Sequence, residues 1–396
     1  MVDYDKQTDD FDLYLPILTI TPDSDIFSLN FSSNFDSSLT SMWNKTGLLL
    51  TPHANINLHR HPILYGTAIY ALLLIIVGTI GNMLTIIILL RRNLRQSSTM
   101  RYLTAVATAD LCSLYSWNLN LFYKHLINPY QNDLEDNSIF LCRLISFIAF
   151  VSLELSSWYL TLVSVDRCLN IHFLFWNRQL GRADRSTYII LIVTIIIISL
   201  NIHLLFLNGY QQPNCIPYAK RTCYVCYARL NDRHYIFPKW EKIHVIIYNV
   251  IPFSIMLVSN CFIIRRSLAT AKKQRSLSVD CRNTSSFRNG TNRQRKQRQL
   301  TYILLSVTFL FVFLTTPVMI YNVFLRNHIQ DRKPLKYIVL GILLCIQFTS
   351  HAINFFVYCF GASKFRHELN AFFSSCTRQK QHHQLLTRTR STLQSS

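Results

Sequence analysis

An acid and a base, Asp166 and Arg167, end one long apolar run of the sequence, SFIAFVSLELSSWYLTLVSVDR. Side by side they can form an ion pair, and each can exchange that partner for another group. A lone arginine at such a place often only anchors a helix, because its long stem carries the charge to water. The alternative is an electrostatic switch in which Arg167 changes partners. No Ser-His-Asp or metalloprotease arrangement accompanies the pair, so the sequence favours a protein that is not an enzyme.

Two more acids, Asp110 and Glu154, stand inside apolar segments. Ionisable residues within a membrane are energetically costly, and they usually have a function. Glu154 either faces a ligand cavity, where it would pair with a cationic group, or bonds to a neighbouring helix. Asp110 is accompanied by polar side chains from other segments, which are Asn82, Ser152, Ser156, Ser350 and Asn354.

The elements that must position these residues are apolar runs. Five runs are strong and two are weaker (strong: 63–90, 188–206, 245–264, 301–324 and 337–360; weaker: 100–123 and 139–171). A bilayer core of about 30 Å needs around 20 mostly apolar helical residues, which each strong run supplies. The sequence is 50% hydrophobic and 15% charged, whereas a soluble domain is roughly 25% charged. The sequence therefore predicts an all-α membrane protein, a bundle of seven transmembrane helices that we call spans one to seven.

The charged residues are distributed unevenly along the chain. Residues 1–60 carry eight acids and three bases, and bases crowd the connections after spans one, three and five. Because cytoplasmic loops carry an excess of Lys and Arg, this pattern places the N-terminus outside and the C-terminus in the cytoplasm. The net charge of +20 does not indicate nucleic acid, since the bases flank spans rather than forming one patch.

The third span sets a distance between its two ends. From Cys142 to Arg167 is 25 residues, or roughly 37 Å at 1.5 Å per helical residue. That length crosses the hydrocarbon and one headgroup layer, so Cys142 is expected at the outer edge and Arg167 at the cytoplasmic edge. Four cysteines fall outside (Cys142, Cys215, Cys223 and Cys226), and four cysteines allow three pairings.

At about residues 63–375 the chain resembles the rhodopsin-like (class A) G-protein-coupled receptors. The motifs that carry the resemblance are Gly81-Asn82, Asp110, Cys142, Asp166-Arg167-Cys168, Pro252, Phe311, Pro317 and Asn354-Phe-Phe-Val-Tyr358, followed by an amphipathic eighth helix, GASKFRHELNAFF. The resemblance implies that Asp166 holds Arg167 at rest and that Arg167 contacts a G protein on activation. It also implies an outward swing of span six. The implied coupling residues are Asp166, Arg167, Phe311, Pro317, Asn354 and Tyr358.

The resemblance also assigns Asp110, Ser156 and Asn354 to a sodium pocket that stabilises the resting state. Hard oxygen ligands with one carboxylate suit such a cation. The alternative is a water-filled polar network in which Asp110 is protonated. His351 lies close to Asn354 and favours this alternative, because a cationic imidazole would oppose sodium. No other cofactor is expected.

Some positions depart from the family pattern. Thr315 stands where the family commonly has a tryptophan, two residues before the proline of span six, and Phe355 stands where span seven usually has a proline. These departures put the usual aromatic switch in doubt, but not the fold. Thr315 and Thr316 can bond the carbonyls that Pro317 leaves free, so we expect a bend and a hinge at Pro317.

The connection between spans four and five, about 208–242, contains the alternating stretch TCYVCYARL. It suits a β-hairpin lid tied by a disulfide to Cys142, with Cys226 as the expected partner and Cys215–Cys223 as a second pair. The lid and the stretch INFFVYCFGASKFR are similar to those of invertebrate neuropeptide receptors of the FMRFamide-like group. The expected ligand is therefore an extracellular peptide. The candidate pocket residues are Glu154, Trp117, Tyr321, Asn322 and Gln347.

Three other functions remain open alongside a peptide receptor. A small-molecule or sensory ligand fits the same fold, and a weakly signalling decoy would explain the missing switch aromatic. A transporter or channel belongs to a different class and would predict inverted repeats and broken helices with paired charges, which the sequence does not show.

Three regions follow from this reading of the sequence. Residues 1–62 are expected to be a flexible extracellular tail with glycosylation sequons at Asn30 and Asn44. Residues 63–375 form the receptor domain, and residues 376–396 a cytoplasmic tail that begins at Cys376, a candidate for palmitoylation. Phosphorylation of the tail by a receptor kinase would add negative charge and could recruit arrestin. The expected location is the plasma membrane, with the lipid membrane and a heterotrimeric G protein as partners.

Overall fold

The computed structural model describes residues 62–128, 133–173, 183–212, 224–232, 234–280, 285–325 and 333–375. Within these ranges six helices are long and apolar enough to cross a membrane: Pro62–Leu89, Ile139–His172, Asp184–Leu207, Glu241–Thr270, Thr301–Leu325 and Leu335–Ala352. They correspond to spans one and three to seven. Large apolar side chains remain exposed on the outside of the bundle, including Ile195 at 63% and Phe313 at 76%. The chain is an all-α membrane protein, as the sequence predicts.

Several spans contain more than one helical segment. Span four comprises Ala183–Asn201 and His203–Leu207, and span five comprises Glu241–Val245, Ile246–Val250 and Ile251–Asp280 after a turn at Tyr235–Trp240. Span six comprises Ser285–Ile320 and Tyr321–Leu325, and span seven comprises Lys333–Ala352 and Asn354–Gly361. The segments Ile246–Val250 and Tyr321–Leu325 are π-helical turns. Irregular turns of this kind inside α-helices frequently lie at functional sites.

Span two is a helix in two pieces. Ser98–Leu114 is followed after a short interruption by Trp117–Phe122 and by a π-helical turn, Tyr123–Ile127. At the interruption, the hydroxyl of Ser116 donates to the carbonyl oxygen of Ser113 at 2.6 Å. Serine hydroxyls that bond back to the preceding turn compete with the helix ladder and bend helices. One of the two weaker runs of the sequence, 100–123, therefore corresponds to an interrupted helix, whereas the other, 139–171, corresponds to the continuous helix Ile139–His172.

Span three is the axis of the bundle, because it contacts spans two, four, five and six. Its helix begins after Ser138, whose hydroxyl oxygen accepts a hydrogen bond from the backbone N–H of Leu141 at 3.1 Å. Serine is a preferred residue at this position because it satisfies a backbone donor that has no partner within the helix. The helix buries polar and apolar residues along its whole length, from Cys142 to Asp166.

Span six contains Pro317 within its helix. The hydroxyl of Thr315 donates to the carbonyl of Phe311 at 2.8 Å, and that of Thr316 donates to the carbonyl of Val312 at 2.6 Å. The two threonines therefore bond carbonyls one turn before themselves, next to the carbonyl that Pro317 cannot reach. Together with the π turn that follows, this makes the outer part of span six the least regular part of its helix.

The eighth helix covers residues 363–375. It is fixed to the connection after span one, because Glu368 Oε2 lies 3.1 Å from Arg91 Nε and Glu368 Oε1 accepts from Asn93 Nδ2 at 2.8 Å. Phe365 is buried at the bundle, whereas Phe373 is 51% exposed. The helix is thus amphipathic, as the sequence predicts.

A two-stranded hairpin lies at the outer end of span three. Strand Tyr210–Gln211 pairs antiparallel with strand Tyr224–Val225. The expected disulfide between Cys142 and Cys226 is present and ties the second strand to span three. Gly209 precedes the first strand with φ of 76°, and a Cβ atom there would lie 2.7 Å from Cys142 Sγ. Both the backbone conformation and the close approach therefore require glycine at this position.

We expect Gly209→Ala to lower the melting temperature of the purified protein, because a side chain in left-handed backbone costs about 1–2 kcal/mol before any clash with Cys142. Gly66→Ala is the matched control, because a Cβ at Gly66 meets nothing within 4 Å. Equal melting temperatures for the two variants would contradict this account of the hairpin.

Candidate functional site

Asp166, the acid of the acid–base pair, is buried and is hydrogen-bonded to span two. Its carboxylate accepts hydrogen bonds from the hydroxyl of Ser98 at 3.0 Å and from that of Thr99 at 2.7 Å. Both hydroxyls lie in the first turn of the helix Ser98–Leu114. A buried carboxylate needs such donors, since leaving it unpaired in an apolar interior is costly. Asp166 therefore joins span three to span two.

Arg167 differs from what the resemblance implies. Among the described residues no ion pair joins it to Asp166, and its Nε is buried without a hydrogen-bond partner. Arg167 lines a cavity of about 450 Å³ together with Tyr358 and Gln299. Gln299 Nε2 donates to the carbonyl of Gly361 at 2.7 Å and so links spans six and seven beside the cavity. Ser97 and Met100 also line it, so the cavity lies between the ends of spans two, three, six and seven. The guanidinium of Arg167 thus faces an open volume.

Asp110 is the centre of a second cluster, which we call the central cluster. Its Oδ1 accepts from Ser156 Oγ at 2.5 Å and from His351 Nδ1 at 2.7 Å, and its Oδ2 accepts from Asn354 Nδ2 at 2.7 Å. Asp110 is fully buried. Three donors from spans three and seven therefore meet one carboxylate of span two, and they hold these spans together.

The donors of the central cluster do not fit a sodium ion. Imidazole, amide and hydroxyl hydrogens point at both oxygens of Asp110, whereas a hard cation needs oxygen lone pairs. The hydroxyls of Ser152 and Ser350 donate to backbone carbonyls of their own helices. Asn82 turns its Nδ2 to the carbonyl of His351 at 3.0 Å. A sodium ion at Asp110 stays a prediction from the sequence, and the geometry of the donors argues against it.

Glu154 forms a third cluster, which we call the outer pair. Its Oε1 lies 2.8 Å from His244 Nδ1 of span five, and its Oε2 accepts from Asn201 Nδ2 of span four at 2.7 Å. Glu154 is fully buried and His244 is 4% exposed. Of the two roles that the sequence leaves open for Glu154, the structure shows the bond to neighbouring helices.

His244 and Asn201 are site residues that the sequence reasoning missed. Both stand in runs that are otherwise apolar, and a polar side chain within a span is a signal in its own right. That signal could have marked His244 as a partner for an intramembrane acid. The sequence alone does not show which acid, because the match depends on how spans three, four and five pack.

Aromatic rings connect the outer pair to the central cluster. The ring of His244 is stacked on that of Tyr248, with centroids 5.2 Å apart. Tyr248 meets Phe311 edge-on at 6.0 Å, and Phe311 meets His351 edge-on at 6.2 Å. Gln347 Nε2 also donates to the hydroxyl of Tyr248 at 3.2 Å. Spans five, six and seven therefore meet at one buried group of rings.

The remaining candidate pocket residues are mostly packed. Trp117 Nε1 donates to the hydroxyl of Tyr227 at 2.6 Å, and the indole meets Phe150 edge-on. Tyr321 is 1% exposed. Asn322 has a buried Oδ1 without a hydrogen-bond partner, so it keeps an acceptor that a ligand could use. These residues line the outer half of the bundle, below the hairpin.

The hairpin contacts an acidic turn that precedes span three. Glu135 of the turn Leu134–Asn137 is fully buried beside Tyr227, the residue after the disulfide cysteine Cys226. Burial raises the pKa of Glu135 to about 8 and that of Asp136 to about 7. For Glu135, the Asp133 and Asp136 charges act in the same direction, whereas Tyr227 and Lys124 oppose it. Glu135 is therefore mostly protonated at neutral pH.

Several predicted positions lie outside the described residues. They are the sequons at Asn30 and Asn44, the second cysteine pair Cys215 and Cys223, and the palmitoylation candidate Cys376. Their modification stays a prediction from the sequence.

The chain is similar to known membrane receptors over most of its length. Residues 81–358 match the family described as 7 transmembrane receptor (rhodopsin family). The chain is 22% identical over 312 residues to human C-C chemokine receptor type 1, covering 76% of this chain and 77% of that receptor. It is 25% identical over 345 residues to the thyrotropin-releasing hormone receptor of Gallus gallus, covering 82% and 81%. It is 26% identical over 214 residues to a purinoceptor of Rattus norvegicus, covering 53% and 52%.

Breaking the outer pair should destabilise the bundle. We expect Glu154→Gln and His244→Ala each to lower the free energy of unfolding by about 3–5 kcal/mol, because each leaves a buried partner without its match. The double variant should lose less than the sum of the two, which thermal unfolding in detergent measures. Lys239→Ala is the control, since its pair with Asp232 is largely exposed and screened by water, so its loss should change the free energy of unfolding little. Additive losses at Glu154 and His244 would show that the two side chains do not interact.

The acidic turn should make stability depend on pH. The folded protein binds the Glu135 proton more tightly than the unfolded chain does. The protonated side chain therefore makes its full contribution to the free energy of unfolding below the ordinary pKa of about 4.3. That contribution is lost as pH rises to about 8. We expect the melting temperature to fall over this range, and to fall less in Glu135→Gln, which carries no titrating proton there. Identical pH profiles for the two proteins would refute the assignment.

Proposed function

The chain belongs to the rhodopsin family of seven-transmembrane receptors, and on that premise we propose that it binds an extracellular peptide and activates heterotrimeric G proteins. Members of this family are receptors, so the protein is not an enzyme, and it resides in the plasma membrane as a multi-pass protein. The observation that carries the proposal is the position of Arg167, a cation without a carboxylate partner at the mouth of a cavity between span ends.

The surroundings of Arg167 support a protein partner at this end. The sequence between Cys281 and Gln330 contains no acid, and the inner end of span six carries the bases Arg293, Arg295, Lys296 and Arg298. Arg167 and Lys364 line the cavity, and a positively charged cavity attracts negative groups of a partner and speeds association. Helix 363–375 borders the same cavity through Phe365. We assign this end to the cytoplasm and the hairpin end to the exterior, in agreement with the distribution of bases.

The outer half of the bundle supports a peptide ligand. The carboxylate of Glu154 is already shared between His244 and Asn201, so it does not offer an isolated negative charge to a small amine. The unpaired Oδ1 of Asn322 and the hairpin edge offer hydrogen-bonding groups of the kind that a peptide backbone matches. Two of the similar receptors are named for a chemokine and for thyrotropin-releasing hormone.

A nucleotide or other small-molecule ligand is the second candidate. It is supported by the similarity to a purinoceptor, which covers about half of this chain. The bases of the outer connections, among them Arg229 and Lys239, could receive phosphate groups.

A receptor that binds ligand and signals weakly is the third candidate. It is supported by Thr315 and Phe355, which stand at positions where the family usually has other residues. Coupling to arrestin and a receptor kinase through the tail is part of the same proposal.

A cell-based screen separates these candidates. Cells that express the receptor are exposed to a peptide library and to a nucleotide panel. A calcium or cAMP response to a peptide alone supports the proposal. A response to nucleotides alone replaces the ligand class, and specific binding of a ligand without any response identifies a decoy.

We expect Arg167→Ala to reduce G-protein nucleotide exchange at least ~10-fold. The variant removes the guanidinium, and losing ~1.4 kcal/mol of its coupling to the G protein corresponds to a factor of ten. Ligand binding should change little, since Arg167 lies at the opposite end of span three from the hairpin. Arg101→Ala is the matched control, because Arg101 bonds Thr187 and Asp184 outside the cavity. Exchange by Arg167→Ala at the level of Arg101→Ala would remove the assigned role.

A further inference from the structure

Thr315 is a residue with a small side chain on span six, one turn outward of Phe311. It is fully buried, its hydroxyl donates to the carbonyl of Phe311, and Asn249 Nδ2 lies 3.3 Å from its Oγ1. A tryptophan at this place would fill the centre of the bundle, and threonine cannot. The neighbouring volume is occupied from span five, by Tyr248.

Tyr248 ties three spans together. It is fully buried, and its backbone carbonyl accepts from the hydroxyl of Ser157 on span three at 2.6 Å. Its phenol hydroxyl accepts from Gln347 Nε2 on span seven at 3.2 Å. It lies in the π-helical turn Ile246–Val250, where the helix of span five is locally widened. Tyr248 is therefore held at its backbone carbonyl by span three and at its hydroxyl by span seven.

Tyr248 also stands between the two buried acid clusters. On one side its ring is stacked on His244, within 6° of parallel, and His244 is bonded to Glu154. On the other side it meets Phe311 edge-on, and Phe311 in turn meets His351. Edge-to-face pairs of this kind stabilise the packing beyond the area that they bury. Phe311 is thus clamped between a ring of span five and a ring of span seven.

We infer that Tyr248 is the switch aromatic of this receptor, carried by span five instead of span six. In this role Tyr248 is a positioning residue: it holds Phe311 in place and transmits a change at the outer pair to span six. The inference rests on the proposed function, because the movement of span six that Tyr248 controls is the movement that would admit the proposed G protein.

The geometry explains how the switch works. Phe311 lies six residues inward of Pro317, so an outward swing of span six about Pro317 must pull Phe311 out of its clamp. A ligand that displaces His244 from Glu154 removes the stacked partner of Tyr248, and the phenol can then rotate away from Gln347. Packed side chains have discrete alternative arrangements rather than a continuum, so this release is a two-state event.

The test uses the full-length receptor and its basal G-protein activity, so that no ligand is needed. Tyr248→Ala removes the clamp, and basal nucleotide exchange per surface receptor is expected to rise about fivefold or more, the lower limit of usual coupling energies. Tyr248→Phe and Gln347→Leu each remove one hydrogen bond and keep the packing. They should raise exchange less, and the double variant Tyr248→Phe/Gln347→Leu should equal either one, since both remove the same bond.

Tyr159→Phe is the matched control. Tyr159 is also buried, and its hydroxyl shares a 2.7 Å hydrogen bond with Thr194 between spans three and four, but it does not touch Phe311. Its loss should lower stability as much as Tyr248→Phe does without raising basal exchange. A merely structural role of Tyr248 would give the same result for both variants, and that result would overturn the inference. If Tyr248→Ala fails to reach the surface, the conservative Tyr248→Phe and Gln347→Leu variants decide the question.

A bimane fluorophore on Tyr302→Cys, with the accessible native cysteines replaced, reports the movement of span six without a G protein. Tyr302 is 57% exposed, so the label does not disturb the core. A bimane shift in Tyr248→Ala with raised exchange supports the switch. An unchanged bimane signal with exchange otherwise intact overturns the switch alone. A bimane shift in a receptor that activates no G protein overturns the proposed function and supports the switch.

Discussion

Every carboxylate buried in this bundle must find its partners on another helix, and this constraint determines how the spans are joined. Removing an ionised group from water costs several kcal/mol even after relaxation, and only well-placed donors repay it. Asp110 is bonded to spans three and seven, Glu154 to spans four and five, and Asp166 takes two hydroxyls of span two. Lipid gives no hydrophobic drive between helices, so such bonds and close packing hold the bundle together.

Arg167 is placed differently, because among the described residues it forms no ion pair and its Nε has no hydrogen-bond partner. Asp166, its neighbour in sequence, is already bonded to Ser98 and Thr99, so the guanidinium is left facing the space beside Tyr358. We propose that this cation receives a negative group of a partner that comes from outside. The outer pair has the opposite character, because His244 and Asn201 satisfy Glu154 fully until something displaces them. Arg167 near one end of span three and Glu154 at its middle therefore differ in whether their bonding groups are already occupied.

The sequence predicts the elements of this protein better than their mutual contacts. The apolar runs and the position of Cys142 relative to Arg167 follow from local composition and helical rise. The grouping of Asp110 with Asn354 is what the family resemblance implies. The partners of Asp166 and Glu154 do not, because each lies on another span and depends on helix rotation. The interruption of span two follows from serine hydroxyls bonding back to their own helix, and a count of apolar residues does not report it. His351 was recognised as an obstacle to sodium, but its bond to Asp110 needed the structure.

We propose that docking of a G protein at the Arg167 cavity requires span six to move away from span two. Pulsed electron paramagnetic resonance between spin labels on Gln96→Cys and Tyr302→Cys measures that separation directly. The account predicts that a nucleotide-free G protein adds a second, longer distance population that the receptor alone rarely shows. A single unchanged distance distribution, with the G protein demonstrably bound, would contradict it.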